Sequence, residues 1–200
     1  MDEAGRGPVI GPLVVAMVCG RAGEIRSTGA RDSKKLSPDL RNRVSERIMK
    51  GFNWWVKVID AEALNRLMEK ATINEIEMEV VTELASAAPY TVYMDSFDTV
   101  ESRPGELISR ATGKRVISLH KADERIPAVS AASIVAKVTR DRIIREIAEK
   151  YGDFGSGYPS DPRTIRFLKE SMREGRDISK IVRMKWKTLE RVSGKDLYDF

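Results

Sequence analysis

One cysteine, Cys19, and one histidine, His120, stand in the 200-residue chain. A lone cysteine excludes an intramolecular disulfide, and with a lone histidine too few sulfur and nitrogen ligands remain for a structural zinc site. Any resident metal must be held by oxygen, which is the chemistry of magnesium or manganese. No obvious serine nucleophile lies beside His120, so the sequence offers little for a Ser-His-Asp hydrolase. Long apolar runs are missing as well: the longest, Leu13 to Cys19, is far too short to span a bilayer. The chain opens on two acids where a secretory leader would be basic, so no leader and a cytoplasmic location are expected. Low-complexity tracts, internal repeats and linkers rich in Gly, Ser and Pro are also lacking.

What remains is a globular composition, with 42% hydrophobic and 32% charged residues. The net charge of +5 favours a polyanionic partner without identifying one. Val9 to Cys19 reads as a buried strand bent at Gly11-Pro12. Ser37-Pro38 caps a helix that ends near Gly51, and Asn53 to Ile59 is a strand. Asp60 opens a short helix through about Lys70, and Thr72 to Glu75 has capping-box spacing for a helix to about Ala87. Strands at Tyr90–Met94 and Lys114–Leu119 then alternate with helices over Pro104–Ala111 and Pro127 to about Lys150. This order predicts an α/β or α+β layered sheet with helices packed on it. Residues 1–160 are expected to form the core. Residues 161–200, where basic side chains outnumber acidic ones, are expected to be a helical appendage of the same compact unit, and a monomer is expected.

Four features could carry chemistry. Asp2-Glu3 precedes Gly5-Arg6-Gly7; adjacent carboxylates in a strand face opposite ways, so a backbone bend is needed for both to serve one site. The glycines permit that bend and expose backbone N–H groups. Asp95 closes the strand TVYM, and ligands gather at the carboxyl ends of strands in open sheets. Asp98, close behind, suits an Asx-turn or helix cap better. His120-Lys121-Ala122-Asp123-Glu124 follows the strand RVISL and sets another carboxylate at a strand end. Tyr158 lies in the glycine-rich loop GSGYPSD, where an aromatic ring can stack on a sugar or base or anchor the loop. The run Lys180, Arg183, Lys185, Lys187 and Arg191, with Trp186 inside it, reads as a solvated face or a phosphate-binding surface. Gly5-x-Gly7-x-x-x-Gly11 is not a dinucleotide-binding loop, since almost nothing precedes it and a Pro- and Val-rich segment follows.

The motifs DEAGRGPVIGPLVVA (2–16), DSKKL (32–36), YMDSFD (93–98), HKADE (120–124), AASIVAKVTRD (131–141) and GSGYPSDPRT (155–164) together resemble ribonuclease HII, most strongly its single-subunit archaeal form. The resemblance implies a ribonuclease H-like fold: a five-stranded mixed sheet flanked by helices, with a helical C-terminal extension. It implies metal ligation by Asp2, Glu3, Asp95 and Asp123, and hydrolysis of the RNA strand of RNA–DNA hybrids, including single ribonucleotides embedded in DNA. Two Mg2+ or Mn2+ ions would act, leaving 5′-phosphate and 3′-hydroxyl ends. It further implies that Gly5, Arg6, Gly7 and Tyr158 read the 2′-hydroxyl and the ribonucleotide junction. Ser33, Lys34, Lys35, Asn74, Ser133 and Lys137 are candidate contacts to backbone phosphates. Only Met1 precedes Asp2, where family members have several residues, so a charged amino terminus is expected to compete with cations for Asp2. Leu197 and Phe200 have the spacing of a sliding-clamp-binding peptide, with Gly194 in place of the usual glutamine. A competing reading is a catalytically silent module that binds hybrids and acts with a clamp.

Overall fold

Two short strands near the amino terminus begin the sheet. β1 (Asp2–Ala4) runs antiparallel to β2 (Leu13–Cys19), with Asp2 opposite Ala16 and Glu3 opposite Val15. The computed structural model describes residues 1–30 and 36–192, so Ser33, Lys34, Lys35, Leu197 and Phe200 lie outside the described residues. β3 (Asn53–Ile59) pairs on the far side of β2. β4 (Val92–Asp95) and β5 (Val116–Leu119) form a parallel pair in which Asp95 lies opposite Leu119. Met1 joins the two groups, because its amino nitrogen donates to Tyr93 O at 2.5 Å while Asp95 N donates to Met1 O at 3.2 Å. Such a pair of bonds is a parallel ladder with Met1 opposite Met94. The strand order is therefore β3-β2-β1-β4-β5, a five-stranded mixed sheet.

Packing divides the chain into two units. The first comprises 1–4, 14–58 and 72–139, and the second comprises 5–13, 59–71 and 140 onward. In the first unit, α1 (Ala22–Ser27) and α2 (Pro38–Gly51) follow β2 and β1 in the chain, and Ser37 Oγ accepts from Leu40 N to cap α2. α4 (Ile73–Ser86) opens with the complete capping box that Thr72 and Glu75 predict. α5 (Arg103–Thr112) and the single turn α6 (Ala122–Arg125) flank β5 in sequence. The long α7 (Pro127–Tyr151) begins in this unit. Its core sets Val14, Ala16 and Val18 of β2 against Ile48 of α2 and against Ile134 and Val135 of α7.

In the second unit, α3 (Ala61–Leu67), the latter part of α7, α8 (Pro162–Arg173) and α9 (Lys187–Val192) surround a core of Val9, Ile10, Phe154, Phe167, Leu168 and Val182. The segment expected as a helical appendage lies here, but it is not helical throughout: 174–186 leaves the helix at Gly175, whose φ is +64°. The strand expected from Val9 starts instead at Leu13, because Gly11 adopts φ +91° and Pro12 follows. Ile10 makes only an isolated bridge to Val182. Among the described residues no helix is long and apolar enough to cross a membrane.

α5 lies on β5 at Gly105, where an added Cβ would come within 2.8 Å of Ser118 N and 3.0 Å of Val116 O. Both neighbours are backbone atoms and cannot yield cheaply. Gly105→Ala is therefore expected to cost about 1–3 kcal/mol, measured by urea unfolding.

Candidate functional site

The register at Met1 decides which carboxylates meet. With Met1 opposite Met94, Asp2 falls opposite Asp95, and paired residues on neighbouring strands share a face. Asp2 is buried, and its carboxyl pKa is raised well above the usual range, first by burial and then by the charge of Glu3, with Asp95 adding to it. A hydrogen bond from the Ser133 side chain and another from Glu3 N, at 2.8 Å to Oδ1, oppose that rise. The Met1 ammonium feels the same acids: burial pushes its pKa down to about 6, against the pull of Asp2, Asp95 and Glu3. Glu3, next along the strand, pairs with Val15 and lines one small cavity with Asp2 and Asp95.

Asp95 is held at the mouth of the next strand. Its Oδ1 accepts from Ala122 N at 2.7 Å, which ties the end of β4 to the start of α6. Lys121, just before that helix, is the only non-glycine residue with positive φ (+54°) among the described residues. This left-handed residue turns the chain from β5 so that Ala122 N reaches Asp95 and buried Asp123 follows directly. Ser130 Oγ donates to Asp123 O and pins that turn to α7. His120 has a tethering role: its ring nitrogen Nε2 lies 2.8 Å from Asp98 O, and its backbone N donates to Glu101 Oε1 at 2.7 Å. Asp98 makes the expected Asx-turn, accepting from Val100 N at 2.9 Å.

Asp2 and Asp95 thus stand together, Glu3 bears on them through its charge, and Asp123 lies one residue beyond the amide that holds Asp95. Among the described residues, no three His, Cys, Asp or Glu side chains are gathered closely enough to hold a metal ion between them. The donor chemistry nevertheless suits a hard divalent cation: every candidate ligand is a carboxylate, and a cation would relieve the repulsion that raises Asp2. Ser133 and Lys137 lie one helical turn apart on α7, so both face the same way; Asn74 is exposed in the first turn of α4.

The other predicted contacts belong to the second unit. Tyr158 is 38% exposed, and a Cβ on Gly7 would meet its ring at 3.5 Å, so the ring lies along the Gly7 backbone. Its loop is tightly held. Asp161 caps α8 and accepts from Ser156 N at 2.8 Å and Arg163 N at 2.9 Å, which pulls its carboxyl pKa down to about 2. Gly157 N donates to Thr164 Oγ1 at 3.0 Å. Arg140 lies beneath Tyr158, its guanidinium carbon 5.6 Å from the ring centroid.

One reading of the sequence needs correction here. Arg183 does not belong to a solvated basic face, because it is fully buried, 0% exposed. Its Nε, Nη1 and Nη2 donate to the carbonyls of Gly11 (2.9 Å), Arg6 (3.1 Å) and Gly5 (2.5 Å), and Trp186 Nε1 donates to Gly7 O at 3.2 Å. Only Lys180, Lys185, Lys187 and Arg191 of that run are exposed. The signal available in the sequence was the position of Arg183 directly after Ile181-Val182, an apolar pair that enters the core.

A family model described as ribonuclease HII matches residues 1–189. A ribonuclease HII of Thermoplasma volcanium is 48% identical over 96% of this chain and 91% of its own length. The ribonuclease HII in a solved complex with PCNA from Archaeoglobus fulgidus is 47% identical, covers 100% of this chain and 98% of its own, and superposes with a TM-score of 0.90. A solved ribonuclease H2 from Pyrococcus horikoshii is 38% identical over 97% of this chain and 95% of its own, with a TM-score of 0.88.

The left-handed turn at Lys121 is open to test. Such a conformation costs an L-residue roughly 1–2 kcal/mol, which glycine avoids at some entropic cost. Lys121→Gly is expected to leave thermal stability unchanged or raised by up to about 1 kcal/mol. Lys121→Val, β-branched, is expected to lower stability and to loosen the Ala122 amide, read by hydrogen exchange.

Proposed function

The chain belongs to the ribonuclease HII family, endoribonucleases that cleave the RNA of RNA–DNA hybrids, and from that membership we propose that Asp2, Glu3, Asp95 and Asp123 are the carboxylates that act. The observation that carries this reading is the parallel register that sets Asp2 opposite Asp95 at the carboxyl end of β4. The family depends on divalent metal, and two ions, magnesium or manganese, bound by these carboxylates would activate the attacking water and offset the charge of the phosphate and the leaving oxygen. The P–O3′ bond breaks, leaving a 3′-hydroxyl and a 5′-phosphate.

The chain's own groups orient these carboxylates. Ala122 N fixes one oxygen of Asp95, and Glu3 N and Ser133 do the same for Asp2, so neither side chain is free to turn away. Fixed dipoles of this kind need no rearrangement as charge develops during reaction. Substrate selection rests on the 2′-hydroxyl, which is what separates RNA from DNA at a given position. In our reading Gly5, Arg6 and Gly7 meet that hydroxyl through backbone groups, and Tyr158 supplies a ring face for the adjoining sugar. Single ribonucleotides within duplex DNA are then substrates as well as longer hybrids. Ser33, Lys34, Lys35, Asn74 and Lys137 are assigned to the phosphates on either side, whereas Ser133, buried and already donating its one hydroxyl proton to Asp2, is not. The terminal Leu197 and Phe200 are assigned to a sliding clamp, in keeping with the PCNA complex of the Archaeoglobus relative.

Asp95→Asn retains the acceptor for Ala122 N but removes the charge. It is expected to keep the melting temperature within a few degrees while cutting magnesium-dependent cleavage of a duplex with one ribonucleotide by more than about a hundredfold, since charge stabilisation at such a site is worth several kcal/mol. Cleavage at the undiminished rate would refute the assignment. For the clamp, a chain ending at Asp196 is expected to lose binding to an archaeal sliding clamp in calorimetry while its cleavage of short duplexes is unchanged. Equal affinity of the two chains would remove Leu197 and Phe200 from that role.

A further inference from the structure

We propose that Arg183, seconded by Trp186, is a positioning residue that presets the Gly5–Gly7 loop, turning its carbonyls inward so that its amides face the substrate; this rests on the reading of that loop as the ribose-recognising element. The guanidinium spends all three of its nitrogens on backbone carbonyls, those of Gly5, Arg6 and Gly11, and the Trp186 indole takes the carbonyl of Gly7. Every carbonyl of the three-residue loop is thereby claimed by one short stretch of the chain. A trans peptide is planar, so its N–H points opposite to its C=O. Turning the Gly5 and Arg6 carbonyls toward Arg183 therefore turns the N–H groups of Arg6 and Gly7 the other way. Pro8 follows with no N–H, which leaves these two amides as the donors that the inward carbonyls present.

The conformation has to be imposed from outside the loop. Gly5 sits at φ +88°, and a Cβ there would meet Pro12 O at 2.4 Å and Arg140 Nε at 2.5 Å, so the backbone lies pressed against its surroundings with no room for a side chain of its own to brace it. Glycine on both sides of Arg6 would otherwise let the peptides flip. Arginine suits this task where lysine would not, because three of its donors lie in one rigid plane and diverge. The price of the arrangement is a buried cation. It is balanced by carbonyl dipoles and by the Trp186 ring, 4.8 Å from the guanidinium carbon, and Arg140 beside it makes the burial harder.

The test compares affinity for two duplexes of one sequence, one all-DNA and one with a single ribonucleotide, by fluorescence anisotropy with calcium in place of magnesium. In the unaltered protein the ratio of the two affinities measures ribose preference. Arg183→Lys is expected to reduce that ratio at least fivefold, with binding to all-DNA duplex changed less than twofold. Trp186→Phe, which keeps a ring over the guanidinium and loses only the bond to Gly7, is expected to reduce it two- to threefold with an unchanged melting temperature. Should Arg183→Lys fail to fold, Trp186→Phe decides alone. An unchanged ratio in the folded variants, or parallel loss of both affinities in step with melting temperature, overturns the proposal. Tyr158→Ala on the same duplexes reports the underlying reading: if it also leaves the ratio unchanged, that reading fails, whereas a reduced ratio there with none in Trp186→Phe defeats the positioning role only.

Discussion

Burial of the Asp2 carboxyl beside Glu3 and Asp95 is the constraint around which the first unit is organised. Parallel register gives Asp2 and half-buried Asp95 a common face, and burial strips Asp2 of the water that would screen its charge. A fold pays for such a pair with stability, and it persists only where surrounding groups hold each carboxylate in place. Several features that look separate serve that end: the Ala122 amide on Asp95, the Ser133 side chain on Asp2, the left-handed turn at Lys121, and the Ser130 tie to Asp123 O. They come from α6, from the turn just before it and from α7. A divalent cation placed among these acids would relieve that crowding.

Most of the regular structure was legible because its determinants are local. The Ser37, Asp60 and Thr72 caps act over three residues, and each observed helix begins where its cap predicts. NWWVKVI was recognisable as a strand because aromatic and β-branched residues suit a pleated surface. Asp95 and Asp123 were singled out because open sheets place ligands near strand ends; Asp95 closes β4, and Asp123 lies in the single turn α6 that follows β5. What local pattern does not contain is register. That Asp2 falls opposite Asp95 depends on two hydrogen bonds between residues more than ninety positions apart. Likewise, that Glu3 pairs with Val15 across β2 was not readable from the strand's own residues.

The misreading of Arg183 has an equally physical origin. A cluster of basic residues in a sequence is ordinarily a solvated surface, and four of its five members are that here. The fifth is buried because the backbone it meets offers carbonyls that no strand or helix uses. Irregular segments such as 5–12 leave such acceptors over, and burial obliges them to find donors. The demand arises near the start of the chain and is met near its end, so no window of sequence holds both halves.

That separation has a consequence in time. The Gly5 carbonyl and its Arg183 donor are 178 positions apart, whereas all four acids lie within the first 123 residues. A ribosome delivers the acids early and Arg183 late, and the contact cannot form before the chain has passed Arg183. Until then the Gly5, Arg6 and Gly7 carbonyls lack the donors that hold them in the folded chain. A nascent chain therefore acquires its carboxylates well before it acquires a shaped loop to accompany them.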